Sequence, residues 1–208
     1  MKYQKIFFDL DGTIIDSRER LYRLFVDITG ADVSFEDYWT FKRGKNTNEK
    51  FLKDNLQWSV PAISAFNIEW MEKIESDRYL AYDKCFADTI SSLQKLFSKV
   101  ELNLVTARQF PEKVSSQLSE LEILGFFSNV LVTEQKTSKS ALIRTLPGTL
   151  FNSVIVGDTG EETLIGKELK ISTANVLTGF RSKEILEPYN PDFIFTNLSA
   201  FTKHALTD

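Results

Sequence analysis

The chain has 208 residues, with 25 Lys and Arg against 29 Asp and Glu, a formal net charge of -4. This balance leaves no basic footprint for nonspecific nucleic-acid binding, and the length suits one large core, or a core with an insertion. One histidine, His204, and one cysteine, Cys85, exclude an intrachain disulfide, histidine-based triads and most zinc sites. Catalysis would therefore fall to carboxylates, hydroxyls, lysines and arginines, and a metal would be oxygen-ligated, which favours Mg2+. The N-terminus lacks the form of a signal peptide, and no apolar run approaches membrane-spanning length, so a cytoplasmic location is expected.

The first apolar run, Ile6-Phe7-Phe8, reads as a strand that ends at Asp9. From residue 17 to residue 81 the pattern is helical, with no convincing buried strand. Leu21, Leu24, Phe25 and Ile28 form one helix face, Asn46 to Leu56 a second helix, and Ile68, Met71 and Ile74-Glu75 fall on a third. Pro61 and Lys42-Arg43-Gly44-Lys45-Asn46 mark breaks. Asp16 and Ser17 are placed to cap the first of these helices. Trp39, Trp58 and Trp70 are expected in a local core.

Beyond residue 81 strands and helices alternate. Strand patterns fall at Leu102-Asn103-Leu104-Val105, Val130-Leu131-Val132, Val154-Ile155-Val156, Asn175-Val176-Leu177 and Phe193-Ile194-Phe195. Ile90, Leu93 and Phe97 share one intervening helix face; Val114, Leu118 and Leu121 share another, in a helix expected to start at Pro111 and end at Gly125. Such alternation implies an α/β fold, a doubly wound parallel sheet interrupted by an all-helical insertion. The division expected is a core of residues 1–16 and 82–208 and an inserted segment of residues 17–81.

In an open α/β sheet the functional groups gather beyond the carboxyl ends of the strands. Those ends carry Asp9, Asp11, Gly12 and Thr13; Thr106-Ala107-Arg108; and Asp158 with Glu161 and Glu162. Lys136 and Lys139 follow the Val130–Val132 strand. Asp9 and Asp158 can share a hard divalent cation, and aspartate serves as nucleophile in aspartyl-phosphate chemistry. Asp11, after which Gly12 permits a sharp turn, can act as general acid and then base. Thr106 and Lys139 can hold phosphoryl oxygens.

The segments Phe8-Asp9-Leu10-Asp11-Gly12-Thr13, Leu104-Val105-Thr106-Ala107-Arg108, Lys139 and Val156-Gly157-Asp158-Thr159-Gly160-Glu161-Glu162 resemble the haloacid dehalogenase superfamily, in its phosphoglycolate-phosphatase-like branch. The likeness runs across the chain, with the helical insertion where such proteins carry a small cap. It implies a phosphatase using Mg2+ on a small soluble phosphorylated compound. Asp9 would be nucleophile and metal ligand. Asp11 would be acid/base, with its backbone carbonyl on the metal, and Asp158 would complete the metal site. Thr106 and Lys139 would bind phosphate, with Thr13, Ala107 and Arg108 as further substrate contacts.

Two departures stand out. Glu162 holds a position where the family usually has aspartate, one methylene longer, and it is expected to serve the metal directly or from one step behind. The residues after Lys139 lack the usual proline-rich sequence, which leaves Lys136 as its rival. Arg108 either touches substrate or pairs on the surface. Lys42, Arg43 and Lys45 form a solvated turn, or Arg43 and Lys45 reach the distal part of the substrate when the cap closes. Glu161 suits a helix N-terminus. Cys85 has Ser91, not Arg, six residues on, so a structural thiol is expected. A phosphomutase would keep the same residues, and a noncatalytic binding protein on this scaffold would not need them. The expected assembly is a monomer or dimer, with no membrane or nucleic-acid partner.

Overall fold

The computed structural model describes residues 1–207. Strand β1 (Lys5–Phe8) leads through a tight turn to the two-residue β2 (Ile15–Asp16). Five helices follow: α1 (Arg18–Thr29), α2 (Phe35–Arg43), α3 (Asn48–Asp54), α4 (Val60–Lys73) and α5 (Asp77–Leu80). The chain returns through β3 (Lys84–Cys85), which pairs antiparallel with β2, Ile15 opposite Cys85. The helical segment thus leaves and rejoins the fold through one two-stranded ribbon. Then come α6 (Thr89–Phe97), β4 (Glu101–Thr106), α7 (Pro111–Glu120), β5 (Asn129–Val132), α8 (Lys139–Thr145), β6 (Ser153–Gly157), α9 (Gly160–Leu169), β7 (Ser172–Val176), α10 (Lys183–Leu186), β8 (Phe193–Phe195) and α11 (Leu198–Leu206).

The main sheet has six strands in the order β5-β4-β1-β6-β7-β8, and all five pairings are parallel. Parallel strands are covered on both faces, which is why β1 reads as a continuous apolar run. Its side chains alternate between two cores. Ile6 and Phe8 join Leu104, Val154 and Val156 on one face; Phe7 meets Val105, Ile155 and Ile143 on the other. β1 lies between β4 and β6, where the winding reverses direction, so a crevice opens beyond its carboxyl end.

A third apolar cluster lies within the helical segment. Phe25, Tyr38, Trp39, Phe51, Leu52 and Phe66 form it, with Trp58 and Trp70 packed against it. Phe180, from the loop after β7, also joins, its ring 5.4 Å from that of Trp39.

Several local expectations are corrected. In α6 the buried apolar residues are Leu93 and Leu96, while Ile90 and Phe97 are exposed, so the inward face is turned from the one expected. Helix α7 stops at Glu120, because Glu122 takes a left-handed conformation and the Ile123 amide returns to the Leu118 carbonyl; Gly125 lies in a separate 3-10 turn. In α4, Ile68 and Met71 are exposed and Phe66 is the buried residue. Ser17 makes no side-chain cap on α1; Asp16 instead accepts from the Arg18 amide and guanidinium. Cys85 is half-buried in β3, and burial pushes its thiol up.

Candidate active site

Beyond the end of β1, the Asp9 amide donates to the Val156 carbonyl at 2.9 Å, tying this residue to β6. Thr106 closes β4 and Asp158 follows β6. Ser138 caps α8 and sets Lys139 in its first turn, while Thr159 caps α9 and sets Glu161 and Glu162 in the first turn there. These ends converge on a cavity of about 200 Å³, lined by Asp9, Asp11, Thr106, Ala107, Arg108, Lys139, Asp158, Thr159, Glu161, Glu162 and Phe180.

Lys139 Nζ donates to Asp9 Oδ1 and Glu162 Oε1, each at 2.7 Å, and lies 3.0 Å from Glu161 Oε2. Burial disfavours its charge, yet the three carboxylates hold it firmly protonated. Burial pushes the Asp9 carboxyl up to about 7, against the pull of Lys139 and with added repulsion from Glu162. Asp158 is fully buried; burial and then the charges of Asp9 and Glu162 drive its carboxyl well above the usual range. Its Oδ2 accepts the Phe180 amide, whereas Oδ1 is buried with no hydrogen-bond partner. Two glycines leave room for this carboxylate. A Cβ on Gly12 (φ +84) would lie 2.5 Å from Asp158 Oδ2, and one on Gly179 only 2.1 Å away.

Around Lys139 there is one ammonium for the carboxylates of Asp9, Asp158, Glu161 and Glu162. That surplus, with the orphaned Asp158 oxygen, suits a cation. The donors are oxygens. Among the described residues no group of three or more His, Cys, Asp or Glu could hold a metal unaided. Mg2+ is the cation that matches such a set, being held by one or two carboxylates while keeping water or substrate oxygens. Glu162 has both oxygens engaged, Oε1 by Lys139 and Oε2 by Thr159, each at 2.7 Å, and so orients the lysine.

On the other side of the cavity Asp11 is clasped by two arginines. Arg108 donates through Nε to Asp11 Oδ2 at 2.6 Å and through Nη2 to Oδ1 at 2.8 Å, and Arg20 also donates to Oδ1. Burial alone would raise the Asp11 carboxyl, but Arg108 and Arg20 hold it well below the usual carboxylate range. Asp83 closes a charge square, 3.2 Å from each guanidinium. Burial outweighs both arginines there and pushes the Asp83 carboxyl up to about 6.

Residues 6–176 match the haloacid dehalogenase-like hydrolase family. The chain belongs to that family. It is 26% identical over 212 residues to a phosphoglycolate phosphatase of Aquifex aeolicus, covering 95% of this chain and 94% of the relative. It is 24% identical over 213 residues to the pyrophosphatase PpaX of Bacillus cereus, covering 96% and 94%. Among solved structures, a haloacid dehalogenase-like family hydrolase from Streptococcus pneumoniae superimposes with a TM-score of 0.76 at 22% identity, covering 98% of both chains. The chain is thus an enzyme of the haloacid dehalogenase-like class, with that class's parallel α/β core.

For this hydrolase the structure separates the expected site residues into two groups. Asp9, Asp11, Thr106, Ala107, Arg108, Lys139, Asp158 and Glu162 share one cavity. Arg108 is buried, not a surface residue. Thr13 is fully buried behind the turn, and its hydroxyl has no partner. Lys136 points to solvent and pairs with Glu134 at 2.7 Å. Arg43 and Lys45 are not among the residues lining the cavity; the Lys45 ammonium sits 5.0 Å from the centre of the Tyr189 ring. Arg20, Asp83 and Phe180 were not singled out in the sequence, and Glu75 was read only as part of a helix. The one available signal was Arg20, four residues before Leu24 and so on the same helix face as a buried residue.

Proposed function

We propose that the chain is a Mg2+-dependent phosphatase that hydrolyses a small phosphomonoester through a phosphorylated Asp9. The observation that carries this reading is the shared cavity, where Asp9 meets Lys139 and Asp158 at the sheet's switch point, with Asp11 two residues away. The names of the two curated relatives support phosphate chemistry while differing in substrate. Asp9, Asp158 and the backbone carbonyl of Asp11 would hold Mg2+, which supplies the charge screening that lets a carboxylate approach a phosphate.

An Asp9 oxygen attacks phosphorus, the bond to the ester oxygen breaks, and the leaving alkoxide takes a proton from Asp11. Water then attacks the phosphoaspartate, Asp11 takes its proton, and inorganic phosphate leaves with Asp9 regenerated. Thr106 and Lys139 hold the equatorial oxygens. Asp11 is held ionised by Arg20 and Arg108, so it must leave them and take up a proton from solvent before it can act as the acid. The reading also takes residues 17–81 as a cap on a core of 1–16 and 82–208, with the β2–β3 ribbon as hinge. Glu75 docks the two, accepting the Gln109 and Phe110 amides at 2.8 and 3.3 Å. No helix among the described residues is long and apolar enough to cross a membrane, which accords with work on a cytoplasmic metabolite.

The test is release of phenol from an aryl phosphate by the purified chain with Mg2+; no turnover of it or of a panel of phosphorylated metabolites overturns the reading. Asp11→Asn sharpens the test. An aryl leaving group needs little protonation, so this variant should give a burst of phenol, then slow turnover, with one phosphoryl group added to the protein mass. Parent-rate turnover by Asp11→Asn would remove Asp11 from its role.

The lysines are tested in the same assay. Lys139→Ala is expected to lower kcat/KM by about 10²–10³-fold, as for a lost oxyanion donor. Lys136→Ala should leave it unchanged. The opposite ranking would reassign the phosphate-binding lysine.

A further inference from the structure

We propose that Phe180 is a positioning residue that couples the seating of the helical segment to cation binding at Asp158. The inference rests on the Mg2+ site of the phosphatase reading and adds what controls its loading. Phe180 lies in a strap, residues 178–181, that follows β7. Thr178 Oγ1 donates to the Gly12 carbonyl at 2.7 Å, which ties the start of the strap to the turn after Asp9. Gly179 passes so close to that turn that a Cβ on it would lie 2.7 Å from Gly12 Cα. The Phe180 amide then donates to Asp158 Oδ2. Among the described residues this is the one hydrogen bond that the fully buried Asp158 side chain accepts. At the far end of the strap, Arg181 Nη1 donates to the Lys42 carbonyl, in α2, at 2.6 Å.

The ring of Phe180 belongs elsewhere. Every other member of its apolar cluster lies between residues 22 and 70, in the helical segment, and its ring partner there is Trp39. One residue thus has its side chain in the helical segment and its amide on Asp158. Filling the cluster requires an apolar side chain but places no demand on the amide. Holding Asp158 requires an amide but no aromatic ring. Joined in one residue, the two contacts let the ring against Trp39 set the direction of the N–H. Without that contact and the one from Arg181, the strap keeps only its Thr178 anchor. Asp158, whose Oδ1 already lacks a partner, then loses the donor on Oδ2. A buried carboxylate without donors is costly, and nothing fixes its pose for a cation. By reciprocity, a cation at Asp158 favours the seated helical segment by the same factor as seating favours the cation.

Calorimetry with Mg2+ alone at pH 8 reads the coupling without turnover. Phe180→Ala keeps the amide and should weaken Mg2+ binding about 10-fold or more, the scale of a lost support behind a metal ligand. Phe180→Leu should recover part of that loss. Trp39→Leu should weaken binding to a similar extent, and the double variant should be no weaker than either alone, since both break one link. Phe66→Leu lies in the same cluster, with its ring contacts to Phe25, Trp58 and Trp70. It should lower Tm and keep the parent's Mg2+ affinity. In the reverse direction, Mg2+ should slow hydrogen exchange in α2 of the parent and leave it unchanged in Phe180→Ala. Parent-like Mg2+ affinity in Phe180→Ala, or an equal loss in Phe66→Leu, overturns the coupling. If Phe180→Ala does not fold, Arg181→Ala decides: loss of the contact with the Lys42 carbonyl should weaken Mg2+ binding about 5-fold, and parent affinity there overturns the proposal. The two readings fail separately. A parent that takes up no Mg2+ removes the metal site, whereas Mg2+ binding that is equal with and without the Phe180 ring removes only the coupling.

Discussion

Asp9→Asn is expected to fold like the parent and to lose at least about 10⁴-fold in kcat, the scale on which loss of a nucleophile falls. The amide keeps the size of the side chain and an oxygen for Lys139 Nζ, now 2.7 Å from Asp9 Oδ1. It cannot form the phosphorus–oxygen bond and is a poor ligand for a hard cation. Lys139 keeps Glu162 and Glu161 as partners, so no buried ammonium is stranded. The stability effect has a definite sign. The Asp9 carboxyl is raised to about 7 in the folded state, from an ordinary value of 3.8. Between those values the folded state binds more protons than the unfolded one, so this group's contribution falls as pH rises. Above about 7 the ionised, buried Asp9 opposes folding, and the amide removes that penalty. Without Mg2+ at pH 8, Asp9→Asn should therefore unfold at or above the parent's midpoint. A folded variant with substantial phosphate release would end the aspartyl-phosphate mechanism; a lower midpoint would end the electrostatic account of the site.

The sheet and half of the site were legible for a common reason. Strands covered on both faces are written as short apolar runs, and chemistry placed at their carboxyl ends follows those runs directly, as Asp9, Thr106 and Asp158 do. The helix faces were less legible, because Ile68, Ile90 and Phe97 are large apolar residues left on the surface, and apolar spacing cannot tell such a residue from a core one. The β2–β3 ribbon has two residues per strand, too few for any periodicity. The Arg20–Asp83 contact joins residues that meet only once the helical segment has folded back on the sheet. Arg108 was visible as a residue but not as a buried one, since arginine ordinarily lies at the surface and only its partners, Asp11 and Asp83, explain its burial.

Removing the metal should have the second large effect, and one readable without substrate. Excess chelator is expected to bring turnover to background, and Mg2+ to restore it. The stronger test is thermal unfolding. Burial, with repulsion from neighbouring carboxylates, raises the carboxyls of Asp9 and Asp158, so the metal-free fold resists ionising them. At pH 5 Asp9 is held largely as an acid, and a cation must displace its proton to bind. At pH 8 the penalty of the ionised Asp9 is present and a cation relieves it, while giving a partner to Asp158 Oδ1, which has none otherwise. A ligand at a hundredfold excess over its Kd stabilises by about 2.7 kcal/mol. For a chain of this length that is a rise of roughly 5–10 °C in Tm. The rise on adding Mg2+ should be near that size at pH 8 and much smaller at pH 5. Asp158→Asn retains an acceptor for the Phe180 amide, so it should fold, lose most of the Mg2+ increment and start from a midpoint no lower than the parent's at pH 8. Full turnover in chelator would show that the carboxylates do not serve a metal. An equal Mg2+ increment at the two pH values, or one that survives in Asp158→Asn, would place the cation elsewhere on the chain and leave the strain at Asp9 and Asp158 to be relieved by protons alone.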